Sequence, residues 1–209
     1  MDRREARSKF PFTAIILAGG KSSRMGQDKA LLKFGEKTIL EHLLALVSPL
    51  FSETLVIVND QTKLRGLDLA GAEVREDWVK DRGPLAAIYT GLLYSRNPAS
   101  CVLTCDMPLI DEGIIRELVG FWEEDYDVIC LEEPEGNYQP FPGIYFRSTR
   151  HLIRSFLDRG ENSMKGYLQS ATVKSLILQK EKIELLTNMN YIEDYCRILR
   201  EKDGCARKE

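Results

Sequence analysis

The sequence has little of what builds metal knuckles, disulfide frameworks or histidine-based catalytic sites. Its 209 residues include two histidines and five cysteines, and no two of those cysteines form a C-x-x-C pair. An odd number of cysteines without paired spacing argues against both a disulfide framework and a zinc knuckle, so we expect reduced thiols that are mostly buried. His42 lies in a helical pattern and His151 at a helix start. These two histidines therefore do not favour a two-histidine metal site or a Ser-His-Asp triad.

The sequence also lacks a long apolar run and an excess of positive charge. No apolar stretch approaches the roughly 18 residues that a membrane span needs, and no apolar signal region follows the charged N-terminus, so we expect a cytoplasmic protein without a membrane partner. The net charge of −3 argues against nucleic acid as a partner and requires any anion to be held by local cations. The length fits one domain at residues 11–202, between a charged extension at 1–10 and a charged tail at 203–209.

The most distinctive feature present is a loop rich in glycine and cations, LAGGKSSRMGQDK at residues 17–29, which follows an apolar run. Glycines let backbone N–H groups approach an anion, while Lys21, Arg24 and Lys29 supply positive charge, so the loop predicts a polyphosphate site. It is not a P-loop, because Ile15 stands where that motif needs a glycine, and it lacks G-x-G-x-x-G spacing. The alternative is an ordinary solvated turn, which rarely holds so many cations beside glycines.

Short apolar runs alternate with helical patterns along the chain. We expect strands at residues 12–17, 54–58, 72–75, 101–104, 127–131, 144–146 and 173–178. Helices are expected at residues 38–50, 85–94, 112–123, 149–157, 163–169 and 191–201. This order predicts an α/β fold with a doubly wound parallel sheet whose strands have their carboxyl ends at one edge. Residues 132–143 hold three prolines and two glycines, which predicts a loop over the site.

Polar residues follow the second, third and fourth of these strands, where the fold would bring them beside the glycine loop. They are Asn59-Asp60, Asp77 and Asp106. Because Asp also favours turns and helix starts, we expect Asp60 and Asp111 to act as turn or cap residues. Asp106 is the strongest candidate for chemistry, since Mg²⁺ prefers carboxylates together with substrate phosphate oxygens; its alternative role is a helix cap.

A second glycine-containing segment precedes one of the expected helices. Pro84 would lie in the first turn of that helix, and Asp81-Arg82-Gly83 before it could bring a cation or backbone N–H groups to the site. The alternative is a helix start without a binding role. The closeness of this segment to Asp77 favours a loop that is partly functional.

Taken together, these segments resemble the molybdenum cofactor guanylyltransferases, the MobA family. The matching segments are LAGG (17–20), RMG (24–26), DK (28–29), GPL (83–85), CDMP (105–108) and the closing Asn-x-Asn motif at 188–190. The resemblance implies a Rossmann-like, three-layer α/β/α nucleotidyltransferase fold with a mostly parallel central sheet. It further implies an enzyme that transfers GMP from GTP to the phosphate of molybdopterin and releases pyrophosphate, with Mg²⁺ as cofactor. Partners would be these substrates and, transiently, proteins that deliver the cofactor or mature molybdoenzymes.

The resemblance also implies roles for individual residues. The nucleotide-binding positions would be Leu17, Ala18, Gly19, Lys29, Asn59, Asp77 and Asp106. Within this set Lys29 would contact the phosphates and Asp106 would bind both Mg²⁺ and nucleotide. Arg24 would face the triphosphate, a role that we infer from charge and spacing, and would complete a catalytic set with Lys29 and Asp106. Asn188 and Asn190 are candidates for the acceptor side.

Three positions bear on the choice of substrates. Related cytidylyltransferases have alanine where this chain has Gly19, and a missing methyl group leaves room for a purine, worth about 1–3 kcal/mol. The family often has His-Pro at Gln139-Pro140 and glycine at Ala87, departures that concern the pterin side more than the nucleotide. The alternatives are transfer from CTP, a sugar-phosphate or other alcohol-phosphate acceptor, or a nucleotide-binding relative without turnover.

Overall fold

The computed structural model describes residues 8–19, 28–80 and 82–205, with side chains described as far as residue 200. The strands are β1 (Phe10–Leu17), β2 (Lys33–Phe34), β3 (Lys37–Thr38), β4 (Phe51–Val58), β5 (Glu73–Glu76), β6 (Ala99–Thr104), β7 (Val128–Glu132), β8 (Tyr138–Phe146) and β9 (Val173–Ile177). The α-helices are α1 (Ile39–Val47), α2 (Pro84–Tyr94), α3 (Glu112–Gly120), α4 (Arg150–Asp158), α5 (Met164–Ser170) and α6 (Ile192–Cys205).

The central sheet has seven strands in the order β5-β4-β1-β6-β8-β7-β9. β8 pairs antiparallel with β6 and with β7, whereas the other neighbouring strands of this sheet pair in parallel. The last residue of β1, Leu17, lies level with Ile57 and Thr104, so these strands end at the same edge. The expected α/β fold with a mostly parallel sheet flanked by helices is therefore confirmed.

Local sequence explains how the first helix begins and how the second packs. Thr38 and Glu41 form a reciprocal capping box: Thr38 Oγ1 accepts from the Glu41 N–H at 3.2 Å, and the Thr38 N–H donates to Glu41 Oε2 at 2.8 Å. On α2, a Cβ at Gly91 would lie 2.7 Å from Ile15 Cδ1. Glycine at position 91 therefore allows α2 to pack closely against the buried strand β1.

The segment at residues 132–143 differs from its prediction as a loop, because β8 already begins at Tyr138. In the pairing of β7 with β8, Leu131 lies opposite Gln139 but Cys130 lies opposite Gly143, so residues 140–142 bulge out of the ladder. A proline in a bulge sacrifices no ladder hydrogen bond, which explains how a proline-rich segment continues as a strand.

The cysteines whose side chains are described are free thiols, and most of them are buried. Cys101, Cys105 and Cys130 are free and buried, while Cys196 is free and exposed. Burial raises the pKa of the Cys101 and Cys130 thiols to about 12, so both stay protonated at neutral pH.

No helix in the described ranges is long and apolar enough to cross a membrane. The proposed domain limits stay predictions, and α6 continues to Cys205, within the segment that we assigned to the tail.

Candidate functional site

A cavity of about 470 Å³ lies where the carboxyl ends of β1, β4, β5 and β6 meet. All the positions that the resemblance assigned to nucleotide binding line it: Leu17, Ala18, Gly19, Lys29, Asn59, Asp77 and Asp106. They come from four strand ends and one short turn, so the sheet topology brings them together. Their role in binding nucleotide stays a prediction.

Strand order gives the cavity an elongated shape with two chemically different ends. The order β5-β4-β1-β6 separates Asp77, after β5, from Asp106, after β6, by three strand spacings, or roughly 14 Å. Apolar side chains of α2, those of Pro84 and Ala87, line the cavity together with Asp77. Lys29 lies near Asp106 at the other end of the cavity, because the adjacent residues Met189 and Asn190 contact Asp106 and Lys29, respectively. An extended ligand with an apolar ring and an anionic tail fits this arrangement.

Asp77 is held rigidly at the end of β5. Its side chain is buried, Thr90 Oγ1 donates to its Oδ1 at 2.7 Å, and the Val79 N–H donates to the same oxygen at 3.2 Å. Burial raises the pKa of the Asp77 carboxyl, and the hydrogen bonds from Thr90 and Val79 oppose that rise in part. The carboxyl is therefore a fixed hydrogen-bonding group whose charge is costly to bury.

Gly19 lies directly against Asn59. A Cβ at residue 19 would stand 3.0 Å from Asn59 Oδ1 and 3.2 Å from the Asn59 backbone nitrogen. The methyl group that we expected to occupy purine space would thus first press on Asn59. Glycine at this position lets the loop after β1 and the end of β4 approach each other, and it sets where the amide of Asn59 lies.

Asp106 occupies the turn after β6 and is partly buried. Its Oδ1 accepts a hydrogen bond from the Thr104 hydroxyl, and its backbone carbonyl accepts one from the Met189 N–H at 2.7 Å. The adjacent Cys105 also lines the cavity, but burial, with the nearby carboxylates of Asp106 and Asp28, raises the pKa of its thiol. Cys105 is therefore not a thiolate nucleophile at neutral pH.

Lys29 reaches the cavity from the short turn that follows Asp28. Its Nζ donates to Asn190 Oδ1 at 3.1 Å. Asp28 caps the turn, since its Oδ1 accepts from the Ala30 N–H at 3.3 Å, and its Oδ2 lies 3.3 Å from Lys63 Nζ. The backbone beside Lys29 is thus anchored through Asp28 to Lys63, which follows β4. The Lys29 side chain is anchored to Asn190, near the C-terminus.

The donor set suits a hard cation that shares its coordination with a substrate. Asp28 and Asp106 are two carboxylates lining the cavity. Nowhere in the described ranges do three or more His, Cys, Asp or Glu residues gather into a group that could hold a metal by itself. Mg²⁺ is commonly bound through one or two carboxylates, with waters and substrate phosphates completing its shell, so these residues fit it.

Other residues singled out in the sequence have varied positions. Asp60 Oδ1 accepts from the Thr62 N–H and Asp111 Oδ1 from the Ile114 N–H, both at 2.9 Å, which confirms them as turn and cap residues. Arg24 lies outside the described residues. Asn188 and Asn190 are both exposed and neither lines the cavity, but the amide of Asn190 contacts the cavity residue Lys29.

Phe141 and Asn162 are among the residues that line the cavity without having been predicted individually. Phe141 belongs to the proline-rich segment expected over the site, so the sequence contained a signal for its region. Asn162 follows α4 in a polar connection and had no such signal. Gly83, with φ of +76°, is the N-cap residue before α2 and also lines the cavity.

Comparison with known proteins connects this geometry to a family. Residues 14–174 match the family described as MobA-like NTP transferase domain. A probable molybdenum cofactor guanylyltransferase of Carboxydothermus hydrogenoformans is 36% identical over 194 residues, covering 90% of this chain and 95% of the relative. A protein of the same description from Flavobacterium johnsoniae is 31% identical over 182 residues, covering 87% and 93%.

Solved structures show the same fold at lower sequence identity. Molybdopterin-guanine dinucleotide biosynthesis protein A from Archaeoglobus fulgidus superposes with a TM-score of 0.77 and 19% identity, covering 95% of this chain and 100% of that protein. A CMP:2-keto-3-deoxy-manno-octonic acid synthetase complexed with CTP gives a TM-score of 0.70 at 12% identity, covering 93% and 99%. The fold is therefore common to nucleotidyltransferases with different substrates, and the choice of substrate depends on the site.

Proposed function

The chain belongs to the MobA-like NTP transferase family, and on that premise we propose that it transfers GMP from GTP to the phosphate of a molybdopterin cofactor, with release of pyrophosphate. The observation that carries this proposal is the cavity at the carboxyl ends of β1, β4, β5 and β6. It combines the fixed carboxyl of Asp77, the cation of Lys29 and the carboxylate of Asp106 in one elongated space. The names of the relatives from Carboxydothermus hydrogenoformans and Flavobacterium johnsoniae support the choice of GTP and of the pterin acceptor.

In this proposal the nucleotide lies along the edge of the sheet. The base occupies the end formed by Asp77, Pro84 and Ala87, where apolar side chains accompany a hydrogen-bond acceptor. The triphosphate extends past Gly19 toward Lys29, which supplies a cation, and toward Asp106, whose carboxylate would act through Mg²⁺. Arg24, which belongs to the same glycine loop, is proposed to add a second cation on that side.

The reaction needs no covalent intermediate on the protein. An oxygen of the acceptor phosphate forms a bond to the α-phosphorus of GTP, while the bond between that phosphorus and the oxygen bridging to the β-phosphate breaks. The electron pair of the broken bond leaves with pyrophosphate. A phosphate monoester has a second pKa of about 6 and is already ionised at neutral pH, so no general base has to remove a proton.

Catalysis then depends on alignment and on neutralising charge. Lys29 offsets negative charge that grows on the phosphates as pyrophosphate departs, and it does so from a fixed position. Asp106 would hold Mg²⁺, which withdraws charge from phosphate oxygens. Phe141 in β8 and Asn162 in the connection after α4 also line the cavity and are proposed to face the acceptor.

Ligand-dependent melting tests the choice of nucleotide. The melting temperature is measured with each of the four nucleoside triphosphates, with and without Mg²⁺. A ligand present at 100 times its dissociation constant adds about 2.7 kcal/mol to the free energy of unfolding. We expect a shift with GTP that grows with Mg²⁺, whereas a shift specific to CTP or UTP would contradict the proposed donor.

A transfer assay then tests the acceptor. GTP labelled on its α-phosphate is incubated with molybdopterin, and the expected products are a labelled dinucleotide and pyrophosphate in equal amounts. Sugar phosphates serve as competing acceptors. Transfer to a sugar phosphate but not to molybdopterin would overturn the proposed function, and nucleotide binding without any transfer would indicate a relative without turnover.

A further inference from the structure

We propose that Asn190 is a positioning residue, which holds the ammonium group of Lys29 at the place where the phosphates bind. This inference rests on the proposed function, because it assigns Lys29 to the phosphates. It also divides the Asn-x-Asn motif at residues 188–190, both of whose asparagines were expected on the acceptor side. Asn190 then acts through Lys29, and Asn188 keeps the expected role toward the acceptor.

The first observation is that the chain before α6 returns to the cavity and contacts its charged end. The Met189 N–H donates to the Asp106 carbonyl at 2.7 Å, and the Met189 side chain is fully buried. The neighbouring Asn190 accepts from Lys29 Nζ at 3.1 Å. Two adjacent residues thus contact two groups of the proposed catalytic set, which lie far apart in the sequence. The segment therefore fixes the turn of Asp106 and the side chain of Lys29 relative to each other.

The second observation is that Asn190 is itself anchored. Asp194 Oδ2 accepts from the backbone N–H of Asn190 at 3.0 Å and from that of Tyr191 at 2.9 Å. These two hydrogen bonds lower the pKa of the Asp194 carboxyl, which is therefore ionised at neutral pH and accepts strongly. The amide of Asn190 consequently projects from a backbone that is held at the first turn of α6.

A third contact ties the same helix to the segment after Lys29. Tyr195 in α6 donates its hydroxyl to the Lys33 carbonyl at 2.7 Å. The short turn that carries Lys29 is thus bound to the C-terminal segment at two points, one on the lysine side chain and one on the backbone beyond it. A long, flexible lysine side chain loses much rotamer freedom when it is fixed, and a partner that fixes it before the substrate arrives makes phosphate binding more favourable.

The two asparagines of the motif differ in these contacts. Both residues are exposed, but Asn190 accepts a hydrogen bond from Lys29, whereas within the described residues the side chain of Asn188 has no hydrogen-bond partner. An acceptor-binding role requires an amide that is available to a ligand, which suits Asn188. A positioning role requires an amide already bonded within the protein, which suits Asn190.

A double-mutant cycle on the whole protein tests the coupling. The affinities for GTP and for guanosine are measured by calorimetry with wild type, Asn190→Ala, Lys29→Ala and the double variant. We expect Asn190→Ala to weaken GTP binding about 5-fold to 10-fold and to leave guanosine binding unchanged. In the Lys29→Ala background the same change should have no further effect, since residues that act as a unit are not additive. An equal loss in both backgrounds, or a loss that concerns only the acceptor KM, would overturn the proposal.

A second measurement needs no nucleotide. Each variant is treated with a limiting amount of acetic anhydride, and acetylation of Lys29 is quantified by mass spectrometry relative to the exposed Lys37. We expect Asn190→Ala to raise the acetylation rate of Lys29 at least 2-fold, while Asn190→Asp, which restores an acceptor, lowers it again. The matched control is Asn137→Ala, an exposed asparagine that does not line the cavity and should leave Lys29 unchanged. Equal rates in all variants would overturn the proposal.

These outcomes are separable from a failure of the proposed function. If the wild type prefers CTP, the donor assignment fails, yet the same cycle run with CTP still measures whether Asn190 acts through Lys29. If the acceptor is not a pterin, neither the cycle nor the acetylation rates are affected.

Discussion

The two halves of the central sheet contribute to the cavity in different ways. On the side of β5, β4, β1 and β6, the strands run parallel, and each is followed by a residue that lines the cavity. On the side of β8, β7 and β9, polar side chains near the same edge mostly bind each other. Gln139 Nε2 donates to Glu133 Oε1 at 2.6 Å, and the Ser175 hydroxyl donates to Glu132.

This difference indicates which substrate each half serves. The parallel half presents a fixed set of groups suited to a nucleotide, which has the same phosphates whatever the acceptor. The strands β8, β7 and β9 contribute only Phe141 among the described residues lining the cavity, so they leave more of their surface for a second substrate. A fold shared by nucleotidyltransferases with different acceptors is consistent with such a division.

The largest effect is expected for Asp106→Asn, which removes a charge from the nucleotide half. Turnover should fall about 100-fold or more, because a preorganised charge at a phosphoryl centre is worth several kcal/mol. Circular dichroism should show an unchanged fold, since asparagine can still accept from Thr104. Wild-type turnover at saturating Mg²⁺ would contradict the role of Asp106.

Gly19→Ala should reduce GTP affinity about 10-fold. The new methyl group would press on Asn59, displacing an amide that lines the nucleotide cavity. The measurement is GTP affinity in the wild-type and Asn59→Ala backgrounds. The loss should be much smaller once Asn59 is truncated, and a loss of equal size would show that the methyl group acts on the ligand directly.

Gly91→Ala should lower the free energy of unfolding by about 1–3 kcal/mol, because its Cβ would overlap Ile15 in the core of the parallel half. Gly120→Ala is the matched control, since a Cβ at that last residue of α3 meets nothing within 4 Å. Chemical denaturation should show the control to be neutral or slightly stabilised. Equal destabilisation of both variants would argue against the close packing of α2 on β1.

Asn162→Ala should raise the acceptor KM about 3-fold to 10-fold, as expected when one hydrogen bond to a substrate is lost. GTP affinity should change little, because the proposed function assigns this cavity-lining side chain to the acceptor. Steady-state kinetics at fixed GTP, together with direct GTP titration, distinguishes the two effects. A loss of GTP affinity alone would place Asn162 with the nucleotide.

The smallest expected effect concerns stability and pH at Asp77. Because burial raises the pKa of this carboxyl, the native state favours the protonated form, and that contribution to stability is lost as pH rises through the folded pKa. Asp77→Asn should therefore be more stable than wild type at about pH 7, and the difference should shrink toward about pH 4. Denaturation at both pH values tests this, and a difference that grows on acidification would contradict it.

The parallel half was largely predictable from sequence, whereas the other half was not. The buried runs before Gly19, Asn59 and Asp106 signal their strands locally, and the parallel arrangement then brings their ends together. The strand β8 was wrongly expected to be a loop as far as Gly143, because prolines normally exclude a strand. Its pairing with β6 and β7, and the bulge that accommodates the prolines, depend on partners distant in the chain.

Sequence by itself determined most strands and helices and their order, the capping residues and the cation-rich glycine loop, since each depends on residues within a few positions of one another. Tertiary structure alone decided that Asn190 contacts Lys29, that Gly19 lies against Asn59 and that Asn162 reaches the cavity. Contacts between residues remote in sequence follow no local periodicity, and they form only when the packed sheet fixes the positions of both partners.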